Sequence, residues 1–179
     1  MNGIRALALG AMSLLAASAA MASDGTVTIN GKITDASCKV TINGVAQSTI
    51  ITMPTVSTQS LAKFNQTSGA TPMYLELSEC PTTGGVRAYF ETLNVDQGSG
   101  RLLNTAALPA EGVSVDLFNN VSGQSIDLRQ GGVGIGNAYV TLTTQGTAQL
   151  PYAVRYVNSG FAITAGDVQS QLVYSLQYQ

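Results

Sequence analysis

The chain has 179 residues, of which 45% are apolar and only 10% charged, and its eight basic and ten acidic residues give a net charge of −2. That balance excludes the basic footprint of a nucleic-acid binder. The lack of any histidine removes Ser-His-Asp and Cys-His nucleophiles, the commonest metal ligand and the proton shuttle of neutral pH.

The elements follow in chain order. Residues 1–22 carry one early positive charge, Arg5, then an apolar run from Ala6 to Ala17, then small residues ending in Ala20-Met21-Ala22. This is the layout of a secretory signal peptide cleaved between Ala22 and Ser23, with a cut after Ala20 as the alternative. The apolar run is too short to span a bilayer. Cleavage after Ala22 leaves 179 − 22 = 157 residues, with a net charge of 7 − 10 = −3. That length suits one domain with a real core.

The stretch SDGTVTINGKI (23–33) alternates like a strand, yet Gly25 and Gly31 stand where a strand wants bulk, and no hairpin partner follows closely. KITDASCKVTI (32–42) alternates through Ile33, Cys38, Val40 and Ile42. STIITMPTVS (48–57) reads as a short strand whose Pro54 argues for an edge or a switch between sheets. A short turn around Leu61 follows in 57–64. TPMYLELSEC (71–80) sets Met73, Leu75 and Leu77 against Tyr74 and Glu76. VRAYFETL (86–93) comes after a turn at 81–85. GVSVDLFNN (112–120) sets Val113, Val115 and Leu117 against Ser114, Asp116 and Phe118. AYVTLTT (138–144), AQLPYAVRYV (148–157) and QLVYSLQYQ (171–179) complete the set. The last puts Leu172, Tyr174, Leu176 and Tyr178 on one face. Residues 94–104 and 129–138 read as surface loops. About eight period-2 segments separated by turn residues predict an all-β sandwich or barrel.

Cys38 and Cys80 are the two cysteines. In an exported protein they predict one disulfide, closing a loop of about 40 residues worth roughly 3–4 kcal/mol. A metal pair or a catalytic dithiol would need closer spacing or more ligands. The ten carboxylates, Asp116 among them, are scattered and read as solvated surface groups. Glu76 and Glu79 lie near a strand end, but no spacing singles out a catalytic pair. The run GGVGIGNA (131–138) invites comparison with a nucleotide loop. Asn137 stands where the third glycine would be, no helix follows, and no lysine completes a phosphate loop. Asn65-Gln66-Thr67 and Asn120-Val121-Ser122 match the short glycosylation acceptor pattern. The residues imply no catalytic group, no metal and no cofactor.

The segments DGTVTINGKITDASC, ATPMYLELSECP and the terminal YSLQYQ, in this order behind a signal peptide, resemble the chaperone–usher fimbrial subunits of the type 1 major-subunit family. The matching positions are Gly25-Thr26-Val27, Cys38, Cys80 and Tyr178. The resemblance implies an incomplete immunoglobulin-like β-sandwich (the pilin fold) lacking its final strand. Its parts would be a signal peptide at 1–22, an N-terminal donor-strand extension at 23–32 and a pilin domain at 33–179. It implies a structural subunit of a surface fimbria, not an enzyme, that polymerises by donor-strand exchange and supports adhesion. A minor adaptor or adhesive subunit binding a host glycan or protein is the alternative. The donor positions would be Ser23, Gly25, Val27, Ile29 and Gly31, with Asp24, Thr26, Thr28 and Asn30 facing out. The acceptor groove would be built by Leu172, Tyr174, Leu176 and Tyr178, with the strand from Ile33 to Ile42 opposite. The implied partners are neighbouring pilin subunits, an outer-membrane usher, host-cell receptors and a periplasmic chaperone gripping the carboxylate of Gln179. The route is export through the periplasm to an extracellular filament.

Overall fold

A computed structural model describes residues 27–31, 33, 37–46, 49–160 and 162–179. The chain divides into two units, residues 1–34 and 35–179. In the first, residues 27–31 and 33 enter no strand. Among the described residues every strand lies in the second.

Nine strands form there: β1 (Lys39–Ile42), β2 (Val45–Ala46), β3 (Thr67–Ser78), β4 (Gly85–Phe90), β5 (Leu102–Leu103), β6 (Val113–Asn119), β7 (Val140–Thr141), β8 (Ala148–Asn158) and β9 (Tyr174–Tyr178). Single 3-10 turns occur at Thr58–Leu61 and Leu128–Gln130. One sheet has the order β2-β1-β3-β8-β6-β5 and the other β7-β4-β9. Each strand pairing in both is antiparallel. The all-β expectation therefore holds, as two facing sheets.

Alternation explains the core. Met73, Leu75 and Leu77 of β3 and Leu150 and Tyr152 of β8 are buried together with Val86, Ala88 and Phe90 of β4. The rings of Phe90 and Tyr152 meet edge to face across the sheets, with centroids 5.2 Å apart. A smaller cluster of Leu61, Ala110 and Val113 forms a second core, with Val56, Tyr156, Ile163 and Val168 packed against it.

Several predicted boundaries shift for local reasons. β3 begins at Thr67, four residues early, because a bulge between Ser68 and Thr71 carries the pairing through. Gly69 makes that possible, since its φ is +67° and a Cβ there would lie 2.8 Å from the Tyr156 ring. β3 ends at Ser78 because Glu79 turns to φ +53°. Asn43 and Gly44, both at positive φ, make the tight hairpin from β1 to β2 that Asn-Gly favours. The predicted strand at 138–144 keeps only Val140–Thr141. The expected loop at 94–104 hides the short strand β5.

Two expectations need correction. Residues 49–57 alternate in burial only through Ile51 and Met53, with Val56 half-buried out of phase, and they join no ladder among the described residues. Pro54 has no N–H to offer one. The outward face of β6 is also buried instead of solvated. Asp116 accepts from Arg155 Nε at 2.8 Å and from the Ser125 hydroxyl at 2.8 Å. The Arg155 guanidinium lies 4.3 Å from the Phe118 ring centroid, and Ser114 donates to Ser159 at 2.8 Å. A paired charge, a stacked ring and a satisfied hydroxyl can be covered at little cost.

The cysteines are bridged. Cys38 and Cys80 are joined with their Cα atoms 4.4 Å apart, tying the entry of β1 to the exit of β3. Replacing both with serine is expected to cost about 3–4 kcal/mol. The denaturation midpoint should fall at nearly constant slope, and wild-type protein unfolded without reductant should titrate no free thiol.

Candidate functional site

Among the described residues the C-terminal strand has a neighbour on one side only. β9 pairs with β4 from Val86↔Tyr178 to Phe90↔Tyr174. Gly85 and Gln179 exchange hydrogen bonds of 3.3 and 3.0 Å, and Glu91 N–H donates to Val173 O at 2.9 Å. Bonded pairs alternate along an antiparallel ladder. Residues 173, 175, 177 and 179 therefore spend their main-chain groups on β4. Tyr174, Leu176 and Tyr178 turn theirs to the free edge, where no described residue pairs with them. The side chains of these three, with Leu172, are half-buried on the main core, as predicted for that face. Ile51 and Met53 lie against the same core. β9 and the unpaired residues 49–57 thus both cover this core.

The expected opposite wall, Ile33 to Ile42, is placed elsewhere. Its described strand, β1, sits between β2 and β3 in the other sheet. Its Val40 and Ile42 are buried in the core on which the β9 side chains pack, and just before β1 the Cys38 N–H donates to the Tyr178 hydroxyl at 3.0 Å. Gln179 is exposed and closes the β4 ladder. Among the donor positions, Val27 and Ile29 are 87% and 90% exposed, and Gly31 has nothing within 4 Å of the place a Cβ would take. Ser23, Gly25 and the cleavage residue Ala22 lie outside the described residues.

The opposite edge of the same sheet is closed. β7 covers β4 only at Gly85 and Val86. Beyond it, Ala88 N–H donates to the Tyr152 hydroxyl at 3.2 Å, and Asn137 Nδ2 donates to Ala88 O at 2.8 Å. Phe90 N–H donates to Gly131 O at 3.0 Å. The Tyr152 hydroxyl in turn donates to Asn137 Oδ1 at 2.6 Å. The glycine run 131–138 is thus an edge cover. Gly131, at φ +67°, lies so close to Tyr89 that a Cβ would clash with the ring. Sequence reasoning missed this role for Asn137, although it is the residue that spoils the nucleotide-loop order. The outer edges of the larger sheet, β2 and β5, are two residues each, too short to template a partner well.

Charged groups near the site are structural. Glu76 accepts from Thr41 and from Gly44 N–H, and Glu79 pairs with Lys39. Asn65 and Asn120 of the acceptor patterns bond Arg101 and the Tyr74 hydroxyl. Among the described residues no cluster of three or more metal-ligating side chains occurs.

An all-β, two-sheet chain of this kind resembles the subunits of chaperone–usher pili. The rod subunit PapA of the P pilus superposes with a TM-score of 0.61 at 19% identity, covering 79% of this chain and 99% of that one. A chaperone–usher pilus whose structure addresses rod uncoiling gives 0.61 at 21% identity, covering 88% and 96%. Residues 53–179 match the family FimA, type-1 fimbrial protein, A, and the chain belongs to that family of structural pilins. It is 37% identical to the major fimbrial subunit SMF-1 of Stenotrophomonas maltophilia, over 89% of this chain and 95% of that one. It is also 37% identical to the F17 fimbrial protein of Escherichia coli, over 96% of each.

Burial pushes the Tyr152 hydroxyl up to about 12 from its ordinary 10. A raised folded value means that stability is intact below pH 10 and lost as pH climbs from 10 towards 12. Tyr152→Phe is expected to cost about 1–3 kcal/mol at neutral pH by orphaning Asn137 Oδ1 and Ala88 N–H. It should also flatten the fall in denaturation midpoint across that alkaline window, relative to wild type.

Proposed function

We propose that the chain is the structural subunit of a surface fimbria and that it polymerises by donor-strand exchange, residues 23–32 of one copy completing the sandwich of the next. The observation that carries this reading is the free edge of β9, where Tyr174, Leu176 and Tyr178 offer main-chain groups beside half-buried apolar side chains. An added strand meets about six donors and acceptors there, each bond worth roughly 0.5–1.5 kcal/mol net. Val27 and Ile29 add about 1.5–3 kcal/mol each when fully buried. The sum supports a long-lived joint between subunits without any covalent link. Gly25 and Gly31 suit a strand whose backbone passes close to the trench floor.

A periplasmic chaperone occupies the same edge before assembly, and the exposed carboxylate of Gln179 is its handle. An outer-membrane usher then exchanges chaperone for subunit. The signal-like residues 1–22 supply the export step. Low surface charge and the capped sheet edges suit a subunit whose contacts are made through strand addition. Adhesion to host surfaces is a property of the assembled filament.

Val27→Asp and Ile29→Asp are each expected to abolish filaments seen by electron microscopy while leaving chaperone binding intact. Each places an unpaired carboxylate in an apolar trench. Normal filaments from either variant would end the donor-strand assignment. Wild-type filaments are expected to resist SDS until heated.

A further inference from the structure

One pentapeptide occurs twice in the chain. Val27-Thr28-Ile29-Asn30-Gly31 and Val40-Thr41-Ile42-Asn43-Gly44 are identical, so the two Asn-Gly steps share their local chemistry and differ only in surroundings. The second copy is clamped. Val40, Thr41 and Ile42 pair with Leu77, Glu76 and Leu75 of β3. Asn43 Oδ1 accepts from Tyr74 N–H at 2.9 Å, and its Nδ2 donates to Pro72 O at 2.9 Å. Gly44 N–H donates to Glu76 Oε2 at 2.8 Å. The first copy is open. Residues 27–31 enter no strand and Asn30 is exposed. Among the described residues neither the Asn30 side chain nor the Gly31 N–H has a hydrogen-bond partner.

An Asn-Gly step carries its own electrophile and nucleophile. Once the Gly31 nitrogen has given its proton to hydroxide, it can attack Asn30 Cγ. The N–Cγ bond forms, the Cγ–Nδ2 bond breaks, and Nδ2 takes a proton from water and leaves as ammonia. Water then opens the succinimide ring at either carbonyl. The product is aspartate, or isoaspartate, in which the main chain runs through Cβ and Cγ. Glycine has no Cβ to crowd the approach. At Asn43 the same ring closure first requires three hydrogen bonds to open, two of the amide and one of the Gly44 N–H. At Asn30 none has to open.

We propose that Asn30 is a site of spontaneous deamidation in the subunit before assembly, and that assembly protects it. The protection rests on the donor-strand reading, whereas the reaction itself does not. In an added strand a ψ of about +135° turns the Gly31 nitrogen away from Asn30 Cγ, and the ladder holds it there. Asn30 stands on the outward face of that strand, so aspartate is accommodated. Isoaspartate is not. It puts one extra main-chain atom between Ile29 and Gly31, and everything beyond falls out of step with the ladder. The edge of β9 is untouched by the change. A subunit that has waited too long can therefore still accept a strand but no longer donate one.

Trypsin supplies the readout, because the peptides ending at Lys32 and at Lys63 hold Asn30 and Asn43 as their sole asparagines. Unassembled subunits from a periplasmic extract and filaments from the cell surface are incubated at mildly alkaline pH. Each peptide is then followed by mass spectrometry, with isoaspartate scored by its shifted elution. In subunits, conversion at Asn30 is expected to run about tenfold or more faster than at Asn43. In filaments, conversion at Asn30 is expected to slow by about tenfold or more. Equal rates at the two positions in subunits overturn the modification site and leave donor-strand exchange standing. Conversion at Asn30 as fast in filaments as in subunits overturns the protection and the donor-strand reading beneath it. Aged wild-type subunits are expected to lose incorporation into filaments in proportion to their isoaspartate content. Equally aged Asn30→Gln subunits, whose longer side chain disfavours the ring, are expected to keep it. Equal incorporation of the two overturns the loss of donor competence.

Discussion

One ladder governs the rest of the structure, the antiparallel pairing of β9 with β4. Because bonded and non-bonded pairs alternate, fixing Gln179 opposite Gly85 decides the fate of each main-chain group in the strand. Half are spent on β4. The other half, on Tyr174, Leu176 and Tyr178, face away over an apolar floor. The same register puts those three side chains on the core. The unspent backbone and the half-covered apolar surface therefore coincide, and a single added strand satisfies both.

The buried Tyr152–Asn137–Ala88 network is the counterpart of that edge. It lies on the far side of β4 and uses groups from three distant parts of the chain. A tyrosine in the facing sheet accepts one main-chain proton, and a loop asparagine takes the carbonyl. Asn137 also donates to Gly132 O at 2.9 Å, so the loop is pinned by the residue that covers the edge. Such a network is costly if incomplete. Here every member is bonded, which is how a polar group at the heart of a sandwich remains compatible with its stability.

How much of this the residues disclose depends on the range of the interaction. Alternation of Met73, Leu75 and Leu77 or of Leu172 to Tyr178 is local, and the faces come out as read. Asn43-Gly44 is likewise a local turn signal, and both residues take the positive φ that such a hairpin needs. What alternation cannot give is the partner. Residues 49–57 read like any strand, yet nothing in them states that no ladder awaits. Asp116 looks like an outward residue of β6 because its partner, Arg155, is 39 positions away. Sequence order equally does not say which sheet β1 joins, and that strand pairs with β2 and β3 in the larger one. Ladder parity, by contrast, follows once Gln179 stands opposite Gly85.

The cover over the outer edge of β4 has a further meaning in the language of polymer chemistry. A monomer with one acceptor edge and one donor segment has a functionality of two. Its condensation yields unbranched chains, whose length is limited by supply and termination. An additional open edge would raise the functionality to three, and the product of the same chemistry would be a cross-linked gel. On the donor-strand reading, Asn137 and the glycine run thus help to set the dimensionality of the product, keeping it a thread.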